Sequence, residues 1–544
     1  MAKIGLLVLT NPTKLRRILP VVKQHVIKTL YVQFCPGRQR LINPSPTSET
    51  GTNGPHHGPA VIGIYSQATA ICQNLDVRVL LSGIKNPYIS TINTRKKIEV
   101  VIFDRVFNSD DVDHFLHSCL VNATRKCEIV TLNGNEESAA DDIGIPNQSH
   151  VASKLSGSFG VDGVLPNKQF KVYENVVLGG TFDRLHAGHK ILLSEAVLRC
   201  TRKLTVGITD TAMLKSKLLW ELIEPISMRM WSVEEFLQDV DPDLQYDIVP
   251  IYDAYGPTKE DPDLQLIVVS AETLRGGLKV NEVRQHNQLS TLDIHSVDLL
   301  EALPEQKQDE EEEDKISSSN RRMRLLGTRL RVPEARPSLP KQPYLIGLTG
   351  SIASGKSSVR GHLENLGAGV LNCDALAHTV YKKGLPCYYA IVQHFGEEVL
   401  GKDGEINRSA LGAVVFSSKE QLEKLNALVW PALLDLLKLE VQQLHEAGHQ
   451  VVVLEAAVLL QAGWDQHVHE VWACLIPPEE AVKRIRERNN LSESEALARV
   501  AASPSNLELA AKADVVLSTS WSTAYTQKQV GRAWAGLQLY LSKL

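Results

Sequence analysis

Val176-Val177-Leu178-Gly179-Gly180-Thr181-Phe182-Asp183-Arg184-Leu185-His186-Ala187-Gly188-His189-Lys190-Ile191-Leu192-Leu193 is the stretch on which the fold turns. Three apolar residues make a short strand, the paired glycines a tight turn, and the apolar spacing after His189 opens a helix. A strand, a glycine-rich turn and a helix in succession form a phosphate-binding unit. The turn lets main chain approach an anion, and the helix aims its positive N-terminal end at the same place. Further apolar runs at Leu204 to Ile208, Ile248 to Ile251 and Leu264 to Val269 are separated by helical patterns. The expected architecture is therefore α/β, a parallel sheet wound on both faces.

A second loop of different design follows much later. Gly350-Ser351-Ile352-Ala353-Ser354-Gly355-Lys356-Ser357 comes directly after the apolar run Tyr344-Leu345-Ile346-Gly347-Leu348. It has the Walker A pattern, whose amides cradle the β and γ phosphates of a nucleoside triphosphate. In this pattern Lys356 contacts those phosphates, Ser357 binds Mg²⁺, and Gly350, Ala353, Ser354, Gly355 and Ser358 complete the ATP cradle. Later strands are expected at Val370 to Leu371, Val451 to Leu454, Val471 to Ile476 and Val515 to Leu517. The first of these segments ends in Leu371-Asn372-Cys373-Asp374, which places a carboxylate at the carboxyl edge of the sheet, where such folds gather ligands. Asp374 is the natural general base for an acceptor hydroxyl, with a helix cap as the competing role.

The 544 residues are enough for about three or four domains. We expect an accessory region with flexible loops over 1–168, a first catalytic domain over 169–327, a proline-rich linker over 328–343 and a second catalytic domain over 344–544. Polar stretches at Asn43 to Pro59 and Asn133 to Lys168 suggest the loops, and the acidic run Asp309 to Asp314 reads as a solvated, disordered segment. A net charge of −5 offers no basic face for nucleic acid. The eight cysteines form no Cys-x-x-Cys pair, which disfavours a zinc ribbon and fits a reducing compartment. No run is long and apolar enough to span a bilayer. Met1 to Ser48 lacks Asp and Glu but carries Lys3, Lys14, Arg16, Arg17, Lys23 and Lys28, a composition compatible with a mitochondrial presequence. Against that, Ile4 to Thr10 before Asn11-Pro12 reads as a buried strand ending in a turn. Cytoplasmic and mitochondrial locations both stay open, and oligomeric state is not legible.

The Gly-Thr-Phe-Asp sequence before His186-Ala187-Gly188-His189 resembles the nucleotidyltransferase superfamily, whose members direct attack onto the α-phosphate of a nucleotide. With Leu214-Lys215-Ser216-Lys217, Arg275-Gly276-Gly277 and Lys315-Ile316-Ser317-Ser318-Ser319, the region from about Lys171 to Gly327 is similar to eukaryotic-type phosphopantetheine adenylyltransferases. The resemblance implies a Rossmann-like nucleotidyltransferase fold. It gives Gly179, Thr181 and Lys217 to phosphate binding, His186 and His189 to the transition state, and Ser317, Ser318, Ser319, Arg322 and Arg275 to the ATP side of the site.

The later region, with its Gly-Leu-Thr-Gly entry to the Walker loop, Asp374, Ile406-Asn407-Arg408 and the lid segment Arg484 to Arg488, resembles dephospho-coenzyme A kinases. That resemblance implies a P-loop kinase fold in which Asp374 activates a ribose 3′-hydroxyl, Arg408 binds the acceptor, and Arg488 and Arg499 close over the phosphates. Asn372, Glu455, Trp430 and Ser503 depart from that family's usual residues. In this order the two regions resemble bifunctional coenzyme A synthases, which implies 4′-phosphopantetheine, dephospho-coenzyme A and ATP as substrates, with Mg²⁺. Two rivals are a nicotinamide mononucleotide adenylyltransferase fused to a nucleoside kinase, and a scaffold with a degenerate kinase half.

Overall fold

The computed structural model describes residues 1–35, 57–85, 91–132, 170–302, 304–416 and 418–543. It divides into two units, Met1–Gln308 with Glu312–Asn320, and Asp309–Glu311 with Arg321–Leu544. Each unit is built from parallel β-sheet with helical crossovers, as the apolar runs require.

The first unit holds two five-stranded sheets. One is formed by β1 (Ala2–Leu9), β2 (Val26–Phe34), β3 (Asp76–Leu80), β4 (Ile98–Phe103) and β5 (Ala123–Thr131), in the order β3-β2-β1-β4-β5 with every pair parallel. The strand expected around Ile4 to Leu9 is thus the central one, and its apolar run is continuous because both of its faces are covered. The expectation of a loop-rich accessory region is corrected for the described residues: they form a complete α/β sheet with helices Leu15–His25 and Gly58–Ile71. Apart from 57–59, where the second of these helices begins, the loops expected at Asn43 to Pro59 and Asn133 to Lys168 lie outside the described residues.

The second sheet contains β6 (Tyr173–Gly180), β7 (Cys200–Thr209), β8 (Gln245–Ile251), β9 (Leu266–Ser270) and β10 (Asp293–Val297) in the order β10-β9-β6-β7-β8. Again all pairs are parallel. One apolar core serves both sheets: Val61, Ile64 and Tyr65 of the helix Gly58–Ile71 join Ala196 and Val197 of the helix Ala187–Arg199 and Phe236 of the helix Ile226–Val240.

A charged cluster is buried alongside this core. Arg78 on β3 reaches Asp239 at 2.5 Å, Glu235 at 2.9 Å and Asp76 at 2.8 Å. Tyr31 donates to the same Asp239 carboxylate at 2.8 Å, and the Arg95 amide donates to its other oxygen at 2.7 Å. A buried guanidinium with three carboxylates and no other counter-charge would be costly, and here each group has its opposite.

The second unit has a sheet of β11 (Tyr344–Gly350), β12 (Gly369–Asn372), β13 (Val451–Glu455), β14 (Glu470–Leu475) and β15 (Val515–Ser518). Its order is β12-β13-β11-β14-β15, all parallel. The boundary expected at 327/328 is displaced. The Gly327 amide donates to Val516 O at 2.9 Å and the Leu330 amide to Asp514 O at 2.7 Å, with an antiparallel bridge between Arg329 and Val515. Residues 327–331 are therefore an edge segment on β15 rather than linker. The acidic run is corrected too: Asp309 pairs with Lys528 at 2.9 Å, Glu311 accepts from Ser522 Oγ at 2.9 Å, and Glu312 is buried.

Candidate active sites

The first candidate site lies at the carboxyl end of β6. Phe182 and Arg184, with φ of 49° and 48°, place two non-glycine residues in the left-handed region within one short loop. Such conformations persist where surrounding contacts over-determine them. The contacts are present: the fully buried Asp183 accepts from Arg184 Nη1 at 2.8 Å and from the Glu224 amide at 3.0 Å. Arg229, itself buried, donates to Thr181 O at 2.8 Å and to Glu224 O at 2.8 Å.

From this braced loop the chain enters the helix Ala187–Arg199, with His186 at the capping position. The imidazoles of His186 and His189 stack, centroids 3.8 Å apart and planes 22° from parallel. Gly188 leaves room for the pair: a Cβ there would stand 3.2 Å from two atoms of the His186 ring, close enough that the ring would have to give by a few tenths of an ångström. Both rings thus sit at a helix N-terminus, where orphan amides and the helix dipole favour an anion.

Among the other residues singled out for this site, Thr181 Oγ1 accepts from Thr209 Oγ1 at 3.1 Å. Ser318 Oγ donates to Asp183 O at 2.8 Å, which brings the serine run to the loop, and Ser317 Oγ accepts from the Asn320 amide at 3.2 Å. Ser319 follows Ser318 in the short helix Ser318–Met323. Lys217 stands at an exposed turn and Arg275 on the exposed first turn of the helix Leu274–His286. Arg322 is buried and falls in the second unit, whereas the three serines fall in the first. Asp183, quoted in the sequence only as part of the Gly-Thr-Phe-Asp motif, and Arg229, unmarked there, are the buried groups that brace the loop; burial of a charge beside a glycine turn is a three-dimensional property.

The second candidate site is the loop after β11. Gly350 has φ of 155°, and a Cβ on it would come within 2.5 Å of Ser354 Oγ and 2.6 Å of Cys474 O, so only glycine fits. Ala353 takes φ of 60° and Gly355 φ of 79°, which turns successive amides inward before the helix Lys356–Asn365 begins. Arg484 locks the loop from outside through Thr519, donating to its Oγ1 at 2.8 Å and its carbonyl at 2.7 Å, while Thr519 Oγ1 donates to Ser354 O at 3.0 Å.

Lys356 curls back over the loop and donates to Gly350 O at 3.0 Å and Ser351 O at 2.9 Å. Burial pulls its pKa below the ordinary lysine value, against the opposing pull of Asp374 and Glu455 and with help from Arg488. Lys356, Asp374, Glu455 and Arg488 therefore share one electrostatic neighbourhood. Ser357 Oγ donates to Glu455 Oε1 at 2.9 Å, and Arg360 meets the other oxygen at 3.1 Å. Ser358 instead faces along the helix toward His362, 3.5 Å away. Glu455, noted in the sequence only as a departure, is the acidic residue that β13 delivers to the loop. Its signal was the apolar strand Val451-Val452-Val453-Leu454 ending in a carboxylate.

On the acceptor side, Asn372 caps the helix Cys373–Leu376 by accepting from the Ala375 amide at 2.9 Å. Asn372 thus does the capping, and the exposed Asp374 is spared that role. His378 bonds Tyr381 and has its pKa lowered by burial and by Arg408, with Asp374 opposing. Arg408 starts the helix Arg408–Phe416, whose first amides Asn407 accepts at 3.0 and 3.2 Å. Arg488 and Arg499 lie exposed on the helices Pro478–Asn489 and Glu493–Ala501. Ser503 tethers the loop to the second of these helices, accepting from the Ile352 amide at 3.4 Å and donating to Arg499 O at 3.2 Å.

A glycine turn with paired imidazoles on one parallel sheet, and a Walker loop with a strand-end carboxylate on another, define a nucleotide-dependent transferase with a nucleotidyltransferase-type domain and a P-loop kinase domain. Comparison with known proteins agrees. Residues 177–324 match the family described as cytidylyltransferase-like, and residues 344–524 match the family described as dephospho-CoA kinase. The dephospho-CoA kinase of Geobacter sulfurreducens is 39% identical over 191 residues, 35% of this chain and 97% of its own. That of Symbiobacterium thermophilum is 40% identical over 190 residues, 35% of this chain and 80% of its own. The solved dephospho-CoA kinase of Campylobacter jejuni aligns over 36% of this chain and 96% of its own at 25% identity, with a TM-score of 0.29. The chain belongs to the dephospho-CoA kinase family through its second unit. With the cytidylyltransferase-like domain ahead of it, it is a coenzyme A synthase-like fusion. Among the described residues no helix is long and apolar enough to cross a membrane.

Proposed function

We propose that the chain makes coenzyme A in two ATP-dependent steps. In the first, a phosphate oxygen of 4′-phosphopantetheine attacks the α-phosphorus of ATP. The bond to the bridging oxygen breaks, pyrophosphate leaves, and dephospho-coenzyme A is the product. Such a transfer needs positioning and charge stabilisation more than covalent help, which suits a helix N-terminus flanked by His186 and His189. Gly179, Thr181, Lys217 and Arg275, with Ser317 to Ser319, supply the remaining phosphate contacts, and Arg322, which falls in the second unit, is left out of this set.

In the second step the ribose 3′-hydroxyl of dephospho-coenzyme A attacks the γ-phosphorus of a second ATP, giving ADP and coenzyme A. Asp374 takes the hydroxyl proton, Lys356 and the loop amides hold the phosphates, Arg408 holds the acceptor, and Arg488 and Arg499 close over the transferring group. The donor set fits Mg²⁺: Ser357 Oγ and Glu455 Oε1, 2.9 Å apart, are hard oxygen ligands of the kind that ion takes together with phosphate oxygens. Bound there, the ion neutralises charge on the β and γ phosphates. The domains fall at about 169–320 and 321–544.

The observation that carries this reading is the difference between the loops: only the first presents imidazoles, and only the second is followed by a lysine curled over its own carbonyls. The purified chain is to be incubated with ATP, Mg²⁺ and either 4′-phosphopantetheine or nicotinamide mononucleotide, and the products read by mass. Coenzyme A in the first mixture is the expected result. A dinucleotide in the second would move the first domain to another acceptor, and no product in either would leave a scaffold.

A further inference from the structure

The two sheets of the first unit have one topology. Numbered from its own first strand, each runs 3-2-1-4-5 with all neighbours parallel, β3-β2-β1-β4-β5 in one case and β8-β7-β6-β9-β10 in the other. At the place where β6 delivers its glycine turn and paired histidines, β1 delivers Thr10-Asn11-Pro12-Thr13, which has neither. That turn is also closed by the protein itself. The buried Asp104, just beyond β4, accepts from the Thr10 amide at 2.6 Å, from Thr10 Oγ1 at 2.8 Å and from the Asn11 amide at 3.2 Å. A carboxylate of the chain takes the amides that would otherwise face an anion.

What this silent sheet does reach is the helix of the working site. Lys190, the residue after His189, is buried, and its ammonium does not turn to solvent. It crosses to β3, where it pairs with the Asp76 carboxylate and donates to Val77 O at 2.9 Å. Asp76 is held in turn by Arg78, which is fixed by Glu235 and Asp239 of the helix Ile226–Val240. Burial alone would raise the Asp76 pKa, but the Lys190 and Arg78 charges overcome it and hold the carboxyl well below the usual range. The Asp76 carboxylate therefore stays charged throughout the working pH range.

We infer that the N-terminal sheet is a catalytically silent repeat of the nucleotidyltransferase topology and that, through Asp76, it holds Lys190 so that the first turn of the helix Ala187–Arg199 keeps His189 in place for adenylyl transfer. Lys190 is a positioning residue: it acts on the phosphorus only through its neighbour. The inference rests on the first step proposed above. A displacement of about 1 Å in a group that meets the transition state costs roughly a hundredfold in rate.

The test uses the full chain, whose kinase activity on dephospho-coenzyme A reports the second unit in the same tube. Lys190→Met is expected to lower the adenylyl-transfer kcat by roughly ten- to a hundredfold with KM for 4′-phosphopantetheine within about twofold, while the kinase kcat is retained. Lys190→Arg, which keeps the charge, is expected to recover most of the loss. Asp76→Asn is expected to lower kcat, and adding it to Lys190→Met is expected to cost little more, as for two ends of one contact. A second readout needs no substrate: amide hydrogen exchange in the segment 181–191 should quicken in Lys190→Met, return in Lys190→Arg, and stay unchanged over 344–524. Wild-type kcat and exchange in Lys190→Met, or additive losses in the double variant, would overturn the inference. If the wild-type chain itself makes no dephospho-coenzyme A, the substrate assignment is at fault, and the exchange arm alone then decides whether Lys190 holds the turn.

Discussion

At the scale of the residue, the kinase loop turns on groups that sequence pattern ranks poorly. The Walker glycines and Lys356 were legible because their spacing is rigid. Glu455 was not, because a carboxylate after four apolar residues reads equally well as a strand end. In the structure it is the acid that holds Ser357, with Arg360 on its other oxygen. Glu455→Gln keeps the shape but removes the charge, so the kinase kcat should fall by about a hundredfold or more while adenylyl transfer is unchanged. An unchanged kinase kcat in a steady-state assay would exclude this carboxylate from the site. His378 supplies a pH signature. Burial and Arg408 depress its pKa below 6.5, so the unfolded chain binds its proton more readily than the folded one. Its contribution is complete above about pH 6.5 and is lost as pH falls toward the folded value. His378→Gln should remove that part of the acid sensitivity of kinase-domain unfolding; identical pH slopes for the two proteins would contradict it.

At the scale of the element, the strands and helices around both loops were legible in their apolar periodicity, and those of residues 1–132 were far less so. The apolar runs Val79 to Leu81 and Val100 to Phe103 could be seen, but their partners could not. Tyr31 meets Asp239 across 208 positions, and Arg78 meets the same carboxylate across 161. Local periodicity carries no information about such pairings. The edge segment 327–331 was missed for a related reason: its pairing with β15 uses main chain, which leaves no mark in a polar sequence. Arg78 ties β3 to the helix Ile226–Val240, and its removal takes the ion-pair partner from the buried Asp239, while Asp76 keeps Lys190 and Lys96 and Glu235 keeps Lys96. Arg78→Met should therefore destabilise the first unit by about 3–5 kcal/mol. Denaturant unfolding followed by a probe in residues 1–302 reads this, and a change under about 1 kcal/mol would show that the cluster is far better solvated than its geometry implies. A chain beginning near Lys168 would expose the face of the helix Ala187–Arg199 that Val61, Ile64 and Tyr65 cover, and should lose soluble adenylyl-transfer activity.

At the scale of the whole molecule, the two loops sit in separate units, the first after β6 and the second after β11. Chemistry at one should therefore not need the side chains of the other. His189→Ala removes an imidazole stacked on His186 at a helix N-terminus, a site that its neighbours can survive structurally because His189 is only half-buried. It should cut adenylyl transfer by at least about a hundredfold and leave dephospho-coenzyme A phosphorylation within about twofold. Lys356→Ala frees two loop carbonyls and removes the charge that meets the β and γ phosphates, so it should do the reverse. Each reaction is to be assayed with its own acceptor supplied, so that a block in the first step does not starve the second. In the Lys356→Ala protein dephospho-coenzyme A should then accumulate from 4′-phosphopantetheine, while His189→Ala should make coenzyme A only when dephospho-coenzyme A is added. Loss of both activities from either substitution would mean that the two phosphate cradles depend on each other, and the account of two self-sufficient sites would have to be abandoned.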